Sequence, residues 1–378
     1  MNRDLALVAA ALFAWGIGES SFFYFQPLYL EQLGASHLMI GGILSLLALG
    51  MTVTHIPAGY LADRLGRRAL MHLAWLLGSL AALIMAMANN LQVFTIGALL
   101  YGVTAFVAAP MNSYISAARG QLKLNQALTI TQSAYQGGAI AGPLIGGLIG
   151  ARLGLRQIYW FAAAAFLLST LVILLIRTQP VEKRSALANR GLFLNRRYLA
   201  FLPIIFLAMF AMYLPQPLTP NFLQLERAVS VSTMGLLGTL GSAGNLLLTL
   251  TLGQLQPLLG FILGQVAVAG SALLIWQGNG PLWYGAAYLL LGGYRAARML
   301  SIAQVRSLVT AANMGLAFGI ADTAGGLGVI LAPFAAGYLF ERNPILIYNS
   351  AASALGLAIF ISLIYFARTK NHLERIHS

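Results

Sequence analysis

Twelve apolar stretches, each long enough to cross a lipid bilayer, constrain the fold of this chain more than any other feature. They fall at residues 5–30, 39–61, 69–88, 91–117, 126–151, 157–177, 199–225, 231–253, 258–277, 281–305, 313–340 and 344–367. A helix needs about 20 residues to cross the hydrocarbon core, so twelve spans would use roughly 240 residues and leave only short connections. The pattern therefore predicts an all-α integral membrane protein with twelve transmembrane helices and no catalytic domain outside the membrane.

The composition supports this interpretation. Hydrophobic residues make up 59% of the 378 residues and charged residues only 8%. A soluble domain carries about 25% charged residues, so a water-soluble fold is excluded. The chain has no cysteine, which excludes disulfides and thiolate metal sites. The first apolar stretch lacks a small-residue cleavage site, and we expect it to be a retained span rather than a signal peptide.

The distribution of basic residues predicts the orientation. A net charge of +13 would suggest a nucleic-acid partner in a soluble protein, but in a membrane protein a basic excess belongs in cytoplasmic loops. With a cytoplasmic N-terminus, sixteen Lys and Arg residues lie inside and four outside. The count predicts a multi-pass protein of the cell (inner) membrane with both termini cytoplasmic and no nucleic-acid partner.

The chain is expected to consist of two similar halves. A basic segment, residues 178–198, separates an N-terminal six-helix bundle at residues 1–177 from a C-terminal one at 199–378. Small residues and a proline of the fifth span recur in the eleventh at a constant offset of 190. The fifth-span positions are Gly138, Gly142, Pro143, Gly146 and Gly147, and those of the eleventh are Gly328, Ala332, Pro333, Ala336 and Gly337. The match predicts pseudo-symmetric bundles with close helix packing, unless two Gly- and Pro-rich spans align by chance.

A charged loop with several glycines joins the second and third spans. Its candidate residues are Gly59, Asp63, Arg64, Gly66, Arg67 and Arg68. Gly59 allows two helices to approach closely, and the Asp63 carboxylate suits the positive N-terminal end of another helix. The arginines suit carbonyls, carboxylates or lipid phosphates. The loop is therefore either a clasp that stabilises one conformation or a solvated basic loop that follows only the topology.

This loop, with the sequence GYLADRLGRR, closely resembles the signature of the major facilitator superfamily, and GAIAGPLIGG in the fifth span resembles its antiporter-type motif. The resemblance covers essentially the whole chain. It implies two six-helix bundles around a central cavity that opens alternately to either side. It also implies that Asp63 holds the outward-open state by meeting the start of the eleventh span near Asn313. The arginine motif of proton-linked drug exporters is absent near Ala98, so the direction of transport stays open.

Four ionisable residues are predicted to lie within spans. These are Glu19 in the first, Arg295 and Arg298 in the tenth, and Asp322 in the eleventh. Each costs about 2.5 to 3.5 kcal/mol at a helix centre, so we expect them to pair or to face a water-filled cavity. Arg298 and Asp322 are predicted to lie at the same depth in the membrane, and so are Glu19 and Arg295, so each acid could pair with the arginine at its depth. The arginines therefore either bind substrate and take part in coupling or form a structural ion pair.

Other polar and aromatic residues at helical spacing are candidates for the same site. They are Trp15, Phe22 and Gln26 on the first span, Gln132 and Gln136 on the fifth, Tyr213 and Gln216 on the seventh, and Tyr288 on the tenth. Mixed polar and apolar stripes are typical of faces that line a cavity. An acid that meets an arginine in one conformation and loses it in the other binds and releases a proton. Glu19 is the first candidate for this coupling role and Asp322 the second.

The sequence therefore favours a monomeric secondary active transporter for a small organic solute, with protons as the coupling ion. An exporter of amphiphilic or drug-like compounds is the leading hypothesis, and a proton-coupled carrier of an anionic metabolite using Arg295 and Arg298 is the alternative. A receptor or lipid-handling membrane protein without transport is a third. An enzyme is not expected, because the sequence has no metal-ligand motif and no phosphate-binding loop, and no cofactor or metal is predicted.

Overall fold

The computed structural model describes residues 2–179, 195–310 and 313–377, apart from the side chains of residues 55–65 and 369–377. Throughout these ranges the regular structure is helical, and no β-strand occurs in them. The predicted all-α class is therefore confirmed.

The six spans of the first half are built from eight α-helices and one 3-10 helix. They are α1 (Arg3–Phe23) with α2 (Gln26–Gln32), α3 (His37–Leu65), α4 (Arg67–Met87), α5 (Leu91–Val103) with the 3-10 helix Thr104–Val107 and α6 (Ala108–Ala118), α7 (Leu124–Leu153), and α8 (Leu155–Ile173). The second half contains α9 (Arg196–Tyr213) with α10 (Thr219–Arg227), α11 (Val231–Leu252), α12 (Pro257–Gln277), α13 (Pro281–Leu291) with α14 (Gly293–Leu308), α15 (Met314–Arg342), and α16 (Ile345–His377).

Ten segments in the described part of the chain are long and apolar enough to cross a membrane. The two remaining predicted spans correspond to α7 and to α13 followed by α14. Helix α7 has 30 residues. At 1.5 Å per residue it is about 45 Å long, more than a bilayer core requires. The chain is thus a multi-pass membrane protein with the predicted twelve-span plan.

The first, fourth, seventh and tenth spans are each interrupted, so that each consists of more than one helical segment. Proline has no amide hydrogen and glycine is a poor helix former, so both favour interruptions. Such residues accompany each break, namely Pro27 in the first span, Pro110 in the fourth, Pro215 and Pro217 in the seventh, and Gly292 and Gly293 in the tenth. The breaks recur at every third span, which adds to the similarity between the halves.

The structure divides into two compact units. The first contains Met1–Arg184 and Pro220–Thr239, and the second contains Ser185–Thr219 and Leu240–Ser378. Most of α10 and the start of α11 therefore pack with the first half, although they follow the linker in sequence. The predicted division at residues 178–198 does not include this exchange of a segment between the halves. The packing has a visible cause, since Gly235 on α11 and Gly147 on α7 meet backbone to backbone, and a methyl group at Gly235 would lie 2.7 Å from the Gly147 Cα.

Helix α1 packs along α7 and α8 in the core of the first unit. The glycines of the predicted packing motif make this approach possible. A methyl group at Gly142 would lie 2.6 Å from the Ile17 carbonyl oxygen and 2.9 Å from the Ser21 nitrogen. Gly138 and Gly146 meet the α1 backbone in the same way, so α7 presents a small-residue face to α1.

In the second unit the repeat-related helix α15 packs on α9, and α12 packs on α14 and α16. Gly328, the counterpart of Gly138, lies against Phe206 and Phe210 of α9. Tyr198, Phe201 and buried residues of α12 and α16 complete the core of this unit. Each unit thus has its own core, from which the charged residues of its spans are positioned.

Candidate functional site

The first unit places Glu19 among aromatic hydroxyl groups. Tyr135 on α7 donates a hydrogen bond from its hydroxyl to Glu19 Oε2 at 2.8 Å. Tyr101, near the end of α5, interacts with the same carboxylate and stacks on Trp15. We call Glu19, Trp15, Tyr101 and Tyr135 the acidic cluster. The Glu19 carboxylate thus accepts a hydrogen bond from a phenol of α7 and lies near a second phenol, that of α5.

Trp15 is fixed by stacking. Its ring stacks on Phe166 of α8 with 4.0 Å between ring centroids and an angle of 8°. The ring of Tyr101 also stacks on Phe166, with 5.8 Å between the two ring centroids. The predicted site residue Trp15 therefore lies beside Glu19 in a rigid aromatic wall.

The predicted stripe on the first span does not continue past Glu19. Phe22 is only 1% exposed and packs against Tyr101 and Phe166. Gln26 is also buried, and it lies beyond the break between α1 and α2. Phe22 belongs to the core of the first unit because the side of α1 that carries it packs on α5 and α8. Gln26 belongs to it because the interrupted helix does not keep the phase that a continuous stripe requires.

Two predicted glutamines on α7 lie close to the acidic cluster in sequence. Gln132 is exposed and Gln136 is half-buried. They flank Tyr135, so one turn of α7 carries a hydroxyl donor to Glu19 and two amide side chains. This turn can offer hydrogen bonds to a polar part of a solute without adding charge.

The second unit contains the predicted ion pair between α14 and α15. Arg298 Nη2 lies 2.9 Å from Asp322 Oδ1, so the pairing predicted from depth is present. The two side chains are 46% and 51% exposed. About half of each side chain is therefore not covered by protein, and if a water-filled cavity covers it, such a pair contributes little to stability.

Aromatic residues surround the arginines of this unit. Tyr294 lies one turn before Arg298 and interacts with its guanidinium group. Tyr213 on α9 packs on Tyr294 with 5.5 Å between ring centroids. Arg295 is exposed on the same helix. We call Arg295, Arg298, Asp322, Tyr213 and Tyr294 the basic cluster.

Two other predicted residues do not join the basic cluster. Gln216 donates from Nε2 to the Met212 carbonyl oxygen at 2.8 Å and so supports the interrupted end of α9. Tyr288 is 2% exposed. It was predicted to share a face with Arg295 and Arg298, but the break at Gly292 separates α13 from α14 and the stripe is not continuous.

Three residues missed by the sequence analysis complete the clusters, namely Tyr101, Tyr135 and Tyr294. Tyr135 lies three residues after Gln132 and Tyr294 four before Arg298, so helical spacing from chosen residues would have found both. Tyr101 has no such signal, because it reaches Glu19 from a different helix.

Part of the predicted clasp lies outside the described residues. Gly59, Asp63 and Arg64 belong to the stretch of α3 whose side chains are not described, and the contact of Asp63 near Asn313 stays a prediction. Gly66 has a φ of +82°, which favours glycine, and separates α3 from α4. Arg67 and Arg68 follow in the first turn of α4.

The predicted pairing of Glu19 with Arg295 also stays a prediction, because these residues belong to different units. Among the residues that the structure describes, no three His, Asp or Glu side chains form a group that could hold a metal ion.

A sequence model of the Major Facilitator Superfamily matches residues 8–333. The chain belongs to this superfamily. Curated relatives include the multidrug resistance protein MdtG of Citrobacter koseri and that of Escherichia fergusonii, each 30% identical over 197 residues. The match covers 50% of this chain and 48% of either relative, so the chain spans about half the length of the curated relatives it matches.

Solved structures of the superfamily share the fold over nearly the whole chain. The nucleoside transporter NupG gives a TM-score of 0.80 at 16% identity and covers 97% of this chain and 99% of its own. A bacterial homologue of the human lysosomal transporter Spinster gives 0.76 at 13% identity, covering 98% and 97%. The human organic anion transporter MFSD10 gives 0.67 at 17% identity, covering 95% and 99%. At these identities the likeness shows the fold alone.

Within the superfamily fold, the two clusters occupy related helices. The acidic cluster is built on the first, fourth and fifth spans, and the basic cluster on the seventh, tenth and eleventh. The repeat offset of 190 places Gln132 at the position that corresponds to Asp322. Each unit therefore uses the same set of helices for polar groups, but the first cluster contains a carboxylate and no arginine, whereas the second contains two arginines and a carboxylate.

Proposed function

We propose that this chain is a secondary active transporter that moves a small organic solute by alternating access, coupled to protons, and that it exports amphiphilic or drug-like compounds. Membership of the superfamily and the multidrug resistance proteins among its relatives support transport of this kind. The observation that carries the coupling is the hydrogen bond from Tyr135 to the Glu19 carboxylate within a membrane span.

Glu19 is the proposed proton carrier. Hydrogen bonds from phenols favour a charged carboxylate, whereas loss of water favours the protonated acid. The donor to Glu19, Tyr135, belongs to α7, and the neighbouring phenol of Tyr101 lies at the end of α5, directly before the 3-10 break at Thr104–Val107. A movement of these helices that adds or removes a phenol would therefore bind or release one proton at Glu19.

The aromatic wall is the proposed contact for the apolar part of the solute. Trp15 is half-buried beside the carboxylate and is backed by the buried ring of Tyr101, and Gln132 on α7 is exposed. Large aromatic surfaces with few polar groups are typical of sites for amphiphilic ligands. This composition favours a drug-like solute.

A carrier of an anionic metabolite is the second candidate. The half-exposed pair of Arg298 and Asp322 favours it, because an anionic group could replace Asp322 as the partner of the guanidinium group. Under this alternative, Arg298→Gln removes transport of anions selectively. Under the leading proposal it reduces transport of lipophilic cations and anions alike.

Reconstitution into liposomes tests the proposal. A pH gradient should drive uptake of a fluorescent lipophilic cation by the unmodified chain. Glu19→Gln should abolish the response to the gradient but keep exchange of labelled for unlabelled solute, since the amide mimics the protonated acid. Glu226→Gln is the matched control, because Glu226 is an exposed acid on α10. Gradient-driven uptake that survives Glu19→Gln contradicts the coupling role.

Exchange without a gradient also tests transport itself. A receptor or lipid-handling protein would show no exchange with any solute. If neither a lipophilic cation nor an organic anion exchanges across the vesicle membrane, the proposal of transport fails.

A further inference from the structure

A basic cleft of about 390 Å³ lies in the first unit, at the start of α4. Its polar lining comes from Arg67, Arg68, His72, Tyr114, Thr178 and Gln179. The orientation predicted from the sequence places this end of α4 at the cytoplasmic surface. The proposed solute site uses none of these residues.

Both arginines are anchored at one end. Arg67 Nη1 donates to the Ser113 carbonyl oxygen at 3.3 Å, and Arg68 Nη1 donates to Thr178 Oγ1 at 3.4 Å. A guanidinium group has five N–H donors, so each arginine keeps donors for a further acceptor. Arg68 Nε is buried and has no hydrogen-bond partner among the described residues. The cleft thus holds an oriented but incompletely satisfied cation.

A histidine and the start of α4 complete the cleft. His72 Nε2 is buried without a partner in the described part of the chain. The first turn of α4 follows Gly66, which has no side chain to cap it, so backbone N–H groups are available there. Helix N-termini with arginines are suited to phosphate groups.

Among the described side chains, the carboxylate of Asp4 lies nearby, and it is already satisfied. Asp4 Oδ1 accepts from the Arg177 backbone nitrogen at 3.2 Å, and Oδ2 accepts from Gln179 Nε2 at 2.9 Å. Tyr114 donates its hydroxyl to the Arg177 carbonyl oxygen at 2.6 Å. Asp4 therefore orders the chain after α8 and does not neutralise both arginines.

Exposed leucines continue from the cleft along the membrane-spanning surface. Ala69 is exposed in the cleft, and Leu73, Leu76 and Leu80 follow it at spacings of 4, 7 and 11 residues on α4. Such spacings place them on one helix face. Helix α8, which packs against α4, also exposes leucines towards its end. A ligand with a charged head and apolar chains matches this surface better than a free ion does.

We infer that this cleft binds the phosphate of an anionic phospholipid, with the acyl chains along the exposed leucines of α4 and α8. Arg68 and the first turn of α4 bind the phosphate, and His72 Nε2 accepts a hydrogen bond from a hydroxyl group of the head group. Because Thr178 and Gln179 lead into the predicted linker, a bound lipid also fixes the start of that linker against α4.

Native mass spectrometry of the full chain with added phosphatidylglycerol tests the inference. We expect one tightly retained phosphatidylglycerol and weaker retention of phosphatidylcholine. Arg68→Gln should weaken the tight binding about tenfold, since one charge-assisted contact to phosphate is lost. Arg119→Gln removes the same charge from the residue that follows α6, outside the cleft, and should leave binding unchanged. Equal retention by both variants and the unmodified chain overturns the inference.

A steric variant keeps the test decisive if Arg68→Gln does not fold. Ala69→Phe fills the cleft without removing charge, and Ala69 is exposed, so the chain should fold and lose the tightly bound lipid. Inorganic phosphate is the second probe. If phosphate alone displaces phosphatidylglycerol at similar concentrations, the site binds free anions and the lipid assignment is wrong. If Ala69→Phe retains the lipid, the cleft is not the site.

Discussion

The contact between α1 and α7 makes a sharp prediction about two neighbouring glycines. At Gly142 a methyl group would lie 2.6 Å from the Ile17 carbonyl oxygen, 2.8 Å from Ser20 Cβ and 2.9 Å from the Ser21 nitrogen. These are backbone atoms or atoms directly attached to the backbone, so the two helices must separate to admit it. At Gly137, five residues earlier, the nearest atom would be Phe13 Cε2 at 3.5 Å, an ordinary contact.

The difference in stability between Gly142→Ala and Gly137→Ala isolates the free-energy cost of moving α1 and α7 apart. Both changes gain the same helix propensity, about 1 kcal/mol. Overpacking a close contact by one methyl group costs about 1 to 3 kcal/mol, and only Gly142→Ala incurs this cost. We therefore expect Gly142→Ala to be less stable than Gly137→Ala by about 1 to 3 kcal/mol.

Thermal unfolding of both variants in the same detergent provides the measurement. The two midpoints are compared only if each variant elutes as a single monodisperse species in size-exclusion chromatography. Gly137→Ala should unfold at or slightly above the midpoint of the unmodified chain, and Gly142→Ala below it. Equal midpoints for the two variants would refute the close approach of α1 and α7.

Three further changes have defined outcomes. Asn221 is 0% exposed and donates from Nδ2 to Glu31 Oε2, so Asn221→Leu should destabilise the chain by about 1 to 3 kcal/mol in thermal unfolding; an unchanged midpoint would show that the contact is absent. Asp322→Asn should change stability by less than about 1 kcal/mol, because its ion pair with Arg298 is half-exposed, yet should impair solute exchange. Arg156 donates to the Ala86 and Met87 carbonyl oxygens at 3.0 and 3.2 Å, so Arg156→Lys should unfold earlier, since an ammonium group cannot replace the forked contact.

The helical class and the ion pair could be predicted from the sequence for physical reasons. A span of apolar residues in a bilayer must satisfy its own backbone, and only a helix does so within one segment. The depth of Arg298 and Asp322 follows from the fixed rise of a helix, and the two side chains are indeed paired. These properties depend on single helices and short distances along them.

The breaks and the tyrosine contacts could not be predicted in the same way. Pro27 and Gly292 are visible in the sequence, but neighbouring helices decide whether such a residue bends or interrupts a span. The approach of Tyr101 to Glu19 depends on the rotation of α5 relative to α1, which hydrophobicity does not specify. The exchange of Pro220–Thr239 into the first unit depends on packing between residues far apart in sequence, such as Gly147 with Gly235.

Solute-induced proton movement in liposomes tests whether transport of the solute is coupled to protonation of Glu19. Vesicles containing the reconstituted chain and a trapped pH-sensitive dye are brought to equal pH inside and outside, and an amphiphilic solute is added on one side. Coupling at Glu19 predicts an immediate pH change inside vesicles that carry the unmodified chain and none in those with Glu19→Gln. Solute uptake with no accompanying pH change would contradict it.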